Sequence, residues 1–323
     1  MGHDGLTPVN TNWIAARADM LARHSPTYFL RQLPMAPQQA QYGVGAAARF
    51  GSGIGQEVLT AADNNSQWLL QHLPWDTSFF GTDTYRLFTG LFGDDARPTA
   101  LAAAATEIRQ TLAARGPYYA FGLVPAEDTA LLQALTGGGW RLIETRLNFY
   151  CPVAEAHLPE PAPVRLARPD EAAHIGRIAA AARNPLDRFH SDPWFGNARA
   201  DAMLARYAEA ATEGSYADAV LVPDMVGLPV DSFLAIGNTP AEAGVPGSGS
   251  LRVLLTAVGP ANRGWHLKLM AETVRRAAAL SLPQVLMTTQ ATNNAVFRSC
   301  EKLGFRLGST THVLACHSDG VMS

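Results

Sequence analysis

The chain has 323 residues, 47% of them hydrophobic and 16% charged, with a formal net charge of −3. That length and apolar content suffice for one or two buried cores and exclude disorder as the main state. Lys and Arg are scattered, not gathered into a stripe, which argues against a nucleic-acid partner.

No stretch approaches the roughly 18 uninterrupted apolar residues of a membrane span, so no membrane association is expected. Residues 1–4 lack the basic start and apolar run of a secretory signal. The cysteines, Cys151, Cys300 and Cys316, are odd in number and have no metal-ligand spacing. That pattern points to reduced thiols in a cytoplasmic protein and to no bound metal.

Residues 12–24 allow an amphipathic helix, and 43–55 are rich in Gly and small residues, as in a loop. The Ala-rich run 99–115 predicts a helix, 118–124 a strand, 127–135 a short helix closed by glycines, and 140–150 a strand. Residues 151–163 contain four prolines and read as an extended linker. Beyond it come a strand (164–167), helices (168–183 and 199–212), strands (217–222, 231–237 and 251–258), a long helix (263–280), a strand (284–289), a helix (293–303) and a strand (305–316). This alternation is an α/β pattern with mixed strand pairing. Residues 131–150 and 299–315 weakly echo each other: helix, glycine, aromatic residue, strand.

Two segments carry chemistry. In the first, a strand ends at Val258-Gly259-Pro260 and a helix opens near Arg263-Gly264-Trp265-His266-Leu267-Lys268, a junction whose free N–H groups and dipole suit a pyrophosphate. In the second, Asn293 opens a helix that Gly304 stops before Phe305. With a strand between them, these segments resemble the GNAT superfamily of N-acetyltransferases, where V-x-P-x-x-R-G-x-G-x-G opens the coenzyme A helix and N-x-x-A-x-x-x-Y-x-x-x-G-F closes the site. The resemblance implies a GNAT fold with a central mixed sheet over 164–317, after an incomplete GNAT-like α/β domain at 71–150 and an extension of unclear role at 1–70. It also implies acetyl-CoA or another acyl-CoA as cosubstrate, held by Val258, Arg263, Gly264, Trp265, His266, Leu267, Lys268 and Asn293, and a homodimer by family habit.

His266 and Lys268 stand where the family has glycine or alanine. Three readings are open: a loop that binds through backbone N–H groups with those side chains turned away, a phosphate contact from Lys268, or weakened cofactor binding. Cys300 aligns with the tyrosine that often protonates the departing thiolate. A thiol can serve as that acid, or Cys300 is a small apolar core residue.

The segment 184–195 reads NPLDRFHSDPWF, and in this family it borders the acceptor. It offers Asp187 and His190 for proton transfer from an amine, and Arg188, Asp192 and Trp194 for binding; an ordinary capped loop is the alternative. Together with Trp75-Asp76 in W-D-x-x-F-F-G, which reads as structural in an N-terminal sheet, it is similar to the TDP-fucosamine acetyltransferases. That similarity implies an acyl transfer by direct attack of an amine on the thioester, with a nucleotide-linked amino sugar as acceptor. The alternatives are another small-molecule amine (antibiotic, polyamine, amino acid) or a non-catalytic CoA-binding protein.

Overall fold

A computed structural model describes residues 7–239 and 247–318; residues 1–4, read above for a signal, lie outside them. The chain forms two compact units, one of residues 1–145 and 310–323, the other of residues 146–309. In chain order the elements begin with α1 (Thr11–Ala16), α2 (Ala18–Ala22), α3 (Met35–Tyr42), α4 (Val44–Ala48), β1 (Gln56–Thr60), β2 (Ser66–His72) and α5 (Pro74–Phe80). They continue with β3 (Asp83–Phe92), α6 (Pro98–Arg115), β4 (Tyr118–Pro125), α7 (Thr129–Gly137), β5 (Arg141–Pro152), β6 (Val164–Leu166), α8 (Ala172–Ala181) and α9 (Arg188–Ser191). The last are α10 (Asn197–Thr212), β7 (Ala219–Pro223), β8 (Ser232–Thr239), β9 (Ser250–Val258), α11 (Trp265–Ala279), β10 (Gln284–Gln290), α12 (Asn294–Lys302) and β11 (Arg306–His317).

In the first unit the strands lie in the order β1-β2-β3-β4-β11. Strands β1 to β3 form an antiparallel meander, β4 lies parallel to β3, and residues 311–317 of β11 run antiparallel to β4. A parallel neighbour needs a crossover, and α6 supplies it. Its Leu101, Ala104, Ala105, Ile108 and Leu112 repeat every three to four residues and are buried against the sheet. Trp68, Leu70, Leu87, Tyr118, Leu131 and Trp140 complete this core. Gly138 is fixed by packing, because a Cβ there would lie 2.5 Å from that of Ala105 on α6. A second core, with Ile14, Leu21, Ala47, Val58, Leu69 and Leu91, joins the N-terminal helices to β1, β2 and β3.

The second unit repeats the wiring, in the order β5-β10-β9-β8-β7-β6. Strands β6 to β9 are antiparallel, β10 is parallel to β9 across the crossover α11, and residues 146–152 of β5 are antiparallel to β10. One face carries α11 and α12 over Leu221, Leu234, Leu251, Met270, Val285 and Cys300. The other carries α8 and α10 over Ile175, Ala208, Val222 and Phe233. Burying each large apolar side chain contributes about 1.5–3 kcal/mol.

The fold class is the expected mixed α/β arrangement. Several local expectations differ. The helix expected over 12–24 breaks at Arg17, whose guanidinium turns inward and donates to both carboxylate oxygens of the buried Asp128, Nη1 to Oδ1 at 3.0 Å. Part of the expected loop 43–55 is α4, because Ala47 is drawn into the core. Residues 56–60 and 66–72 are strands of the first unit, paired with each other and with β3. Trp75 and Asp76 sit on α5, not in a strand, with the Trp75 ring stacked on Phe79 at 5.9 Å. Of the expected linker, Cys151 and Pro152 end β5, paired with Val285 and Gln284. The helix expected at 168–183 opens as a 3-10 turn in which the Glu171 carboxylate accepts the Arg168 N–H at 2.8 Å.

Burial holds the His24 imidazole down at about 4, with its Nε2 enclosed and no protein partner. Between its ordinary 6.5 and about 4 the unfolded chain therefore binds a proton that the folded chain does not, and stability falls as pH falls through that window. Urea unfolding at pH 7.5 and pH 5 should show that loss, and His24→Leu should reduce the difference by a measurable fraction of the roughly 1.4 kcal/mol per pH unit one such group can supply. An unaltered slope refutes the assignment.

Candidate active site

The parallel ladder between β9 and β10 is short. It pairs Ser250–Val253 with Gln284–Met287, yet β9 continues to Val258 and β10 to Gln290. The cause lies on the other side of β9. Its register against β8 shifts between Ala235 and Ile236, which leaves Leu254 without a partner residue. A bulge adds local twist, and the twist turns the end of β9 away from β10. Residues 254–258 are accordingly half-buried, where residues 250, 251 and 253 are buried. Where the ladder stops, a row of backbone N–H and C=O groups on β9 faces a gap and calls for polar partners.

The gap opens onto the start of α11. After Val258, a 3-10 turn (Pro260–Asn262) and Arg263 lead to Gly264, which takes φ +86 as helix cap and has nothing within 4 Å of the place a Cβ would occupy. No side chain caps α11 and its first turn holds no acid, so its leading N–H groups are available to an anion. The approach is pinned from beneath. Buried Asn262 accepts the Asp231 N–H at 2.9 Å and the Ser232 hydroxyl at 2.8 Å, and donates to the Pro229 carbonyl at 3.1 Å. The Asp231 carboxylate accepts the Ala261 N–H at 2.8 Å. Leu254, Asp231, Ser232 and Asn262 were not singled out from the sequence, since bulges and long-range side-chain ties leave no periodic signal.

No protein family's sequence model matches the chain, and no curated protein sequence matches it. Solved structures do. A GCN5-related N-acetyltransferase from Sphaerobacter thermophilus matches with a TM-score of 0.57 at 12% identity, over 98% of this chain and 98% of that one. A GCN5-related glucosamine N-acetyltransferase region of a fungal multi-domain GH3 beta-N-acetylglucosaminidase matches with 0.54 at 12% identity, over 94% of this chain and 37% of that one. A functionally unknown conserved protein from Staphylococcus epidermidis gives 0.51 at 12% identity, over 81% and 94%. The fold is that of the GCN5-related N-acetyltransferases.

Within this GNAT fold the expected cofactor residues 258 and 263–268 lie on the β9–α11 segment, and Asn293 lies at the start of α12. Val258 ends β9, Arg263 and Gly264 are exposed on the loop, and Trp265, His266, Leu267 and Lys268 form the first turn of α11. The side chains of the first turn pack to different degrees. Trp265 is buried, Leu267 packs on the core beneath, and the Lys268 Nζ lies 4.4 Å from the centre of the Trp265 ring. Burial holds the His266 imidazole down at about 4, so it is neutral at physiological pH. Asn293 caps α12, its side chain accepting the Val296 N–H at 3.3 Å.

The segment expected to border the acceptor is tied beside the gap, because Asn184 donates to the side-chain oxygen of Gln290, at the tip of β10, at 2.9 Å. Its own polar groups mostly satisfy one another. Asp187 caps α9, accepting the N–H groups of Phe189 (2.8 Å) and His190 (3.0 Å). The two ring nitrogens of His190 face Asp187 at 2.9 Å and Asp201 at 3.0 Å, and Arg183 pairs with Asp201 at 2.9 Å, pulling that carboxyl below its usual range. Arg188 is buried with its guanidinium 4.4 Å from the Phe189 ring centre. Asp192, buried, accepts the Trp194 N–H at 3.2 Å, and Trp194 is partly exposed. These contacts favour the capped-loop reading for Asp187, Arg188 and Asp192. Other polar groups at the open end of β10 form a relay in which Thr288 donates to Asn148 at 2.9 Å and Asn148 donates to Ser309 at 3.0 Å.

Cys300 has no exposed surface, and burial pushes its thiol up to about 12. It sits in the core with Cys151, Val285 and Leu303. That placement favours the small apolar residue over the proton donor. Among the described residues no group of three or more His, Cys, Asp or Glu side chains is placed to hold a metal, and no helix is long and apolar enough to cross a membrane.

Two substitutions separate these roles. Cys300→Ala should lower stability by about 1 kcal/mol through a small cavity and leave the pH–rate profile of acyl transfer unchanged; a lost alkaline limb would restore the acid role. Asn262→Ala should cost about 2–3 kcal/mol in urea unfolding, because it strands buried partners; a cost under 0.5 kcal/mol would show that the loop does not depend on it.

Proposed function

We propose that this chain is an acyl-CoA-dependent N-acyltransferase whose second unit holds the cosubstrate and whose acceptor is a small-molecule amine. The observation that carries the reading is the bulge-driven gap between β9 and β10, leading into the uncapped, acid-free start of α11. The free N–H and C=O groups of β9 match a ligand arm with amide groups, as in strand addition. The N–H groups opening α11 match a diphosphate, and Lys268 adds positive charge nearby.

The donor would supply an activated thioester carbonyl. The chain's part is then to place that carbonyl in the gap, where a β9 N–H near Val258 polarises it, and to exclude water. The amine loses its proton after attack, to solvent or to Asp187 and His190 should that turn open on binding. With Cys300 enclosed, the leaving thiolate takes its proton from solvent. Metal chemistry has no part in this proposal.

The acceptor class we favour is an amino sugar, including a nucleotide-linked one. The support is twofold: the neutral hydroxyl and amide groups of the Thr288–Asn148–Ser309 relay and of the Asn184–Gln290 pair, which suit sugar hydroxyls, and a fold neighbour described as a glucosamine N-acetyltransferase region. Cytoplasmic location and a homodimer complete the proposal.

Free-thiol release from acetyl-CoA tests it. Amine-dependent release is expected with glucosamine or a TDP-linked 4-amino-4,6-dideoxy sugar and not with their N-acetyl forms. Release with polyamines or aminoglycosides alone would move the acceptor class. No release with any amine, with no shift in melting temperature at millimolar CoA, would refute the acyltransferase reading.

A further inference from the structure

The first unit contains the same device as the second, and the chain fills it with itself. Strand β3 pairs with β4 from Asp83–Tyr118 to Leu87–Gly122, yet β3 runs on to Phe92 and β4 to Pro125. Here too the antiparallel neighbour carries a register shift, between Leu69 and Leu70, which leaves Phe88 without a partner residue. Asp128 caps α7, accepting the Leu131 N–H at 3.2 Å, at the place where Asn293 caps α12 in the second unit. Wiring, bulge, short parallel ladder and cap all correspond.

The exposure does not correspond. On β9 residues 254–258 are half-buried, whereas on β3 residues 89–92 are all buried. The cover comes from the N-terminal helices. The His24 ring lies 4.9 Å from Phe88, and Phe50 stacks on Phe88 at 5.6 Å. Arg17 goes further. It leaves the α1–α2 junction, on the side whose core includes Leu91, and its guanidinium lies 4.2 Å from the ring centre of Phe92, which belongs to the core under α6 and α7. The same guanidinium pairs with Asp128. One side chain therefore bridges the end of β3 and the start of α7, across the mouth of the gap. The loop ahead of α6 adds a second obstacle: it carries Asp94 and Asp95, and α6 opens with Pro98, which has no N–H to offer an anion.

We infer that the cleft of the first unit is permanently occupied by the chain's own residues 11–50, with Arg17 as its plug, and that each chain therefore holds a single cosubstrate site, in the second unit. This rests on the acyl-CoA reading above for the second half of the statement only. The burial of Arg17 and Asp128 explains the permanence: withdrawing Arg17 would strand a buried carboxylate without its partner.

Two measurements on the full chain test it. Calorimetric titration with CoA should give one site per chain; two sites would overturn the inference. Residue-resolved hydrogen exchange of the ligand-free protein should show the amides of 89–92 exchanging at least ten-fold more slowly than those of 254–258, and adding CoA should slow only the latter. Equal exchange in the ligand-free protein, or CoA protection at 89–92, would overturn the plug. If CoA binds nowhere, the acyl-CoA reading fails alone, and the ligand-free exchange still decides about the plug. Asp128→Asn keeps an oxygen for the Leu131 N–H but removes the charge that holds Arg17. It should speed exchange at 89–92 at least ten-fold and leave 254–258 unchanged; unchanged exchange at 89–92 would show that Arg17 holds nothing closed.

Discussion

The parallel ladder that stops at Val253–Met287 is the constraint on which the candidate site of the second unit depends. A sheet of this kind normally satisfies every backbone group between neighbours. Here one extra residue, Leu254, interrupts the register with β8, and the four residues after it keep β8 on one side while the ladder to β10 has already ended. The sheet stays continuous, because the ladder before the bulge is anchored by Leu251, Val253, Val285 and Met287 in the core beneath α11 and α12. The gap's polar lining is backbone, so it makes few demands on side-chain identity, and it opens onto a helix start that Asn262 and Asp231 hold in place.

The two units show one geometry put to two uses. Each is a meander, a crossover helix, a parallel strand and a capped helix, and each has the bulge in the same place. What separates them is the side chain that enters the gap. In the first unit an arginine, paired with a carboxylate and lying over an aromatic ring, replaces any ligand, and the strand behind it becomes fully buried core. In the second the strand stays half-open. Fold alone thus does not assign a binding site; the occupant of the gap does.

Much of this was legible in the sequence where periodicity is strong. The helices at 98–115 and 265–279 and the strands at 250–258 and 284–290 follow from Ala-rich runs, apolar repeats and the glycine stops. The helix start at Gly264 and the cap at Asn293 were legible because capping is local chemistry. The N-terminal half was harder. Strands β1 to β3 mix Gln, Thr, Arg and Gly with apolar residues, since their exposed ends and the crowded gap obscure alternation. Arg17 and Asp128 are 111 residues apart, and no short-range pattern announces such a pair. The polar loop 184–195 looked like a pocket because its charges are dense, yet density of charge does not show where charges point. Asp187 and His190 face each other, and Asp192 accepts a backbone N–H of its own turn.

The same distinction bears on His266 and Lys268 at the start of α11. Side chains larger than glycine obstruct an anion only if they stand in front of the N–H groups. Lys268 lies against the Trp265 ring, a contact worth about 0.5–1 kcal/mol at a half-exposed site, so its charge is held beside the helix start and does not block it. The His266 ring is packed and neutral, so it brings no charge of either sign. Gly264, with open space where a Cβ would be, keeps the first N–H groups reachable. The junction offers what an anion needs: free donors, a helix dipole, and a cation nearby with no carboxylate in the first turn to oppose it.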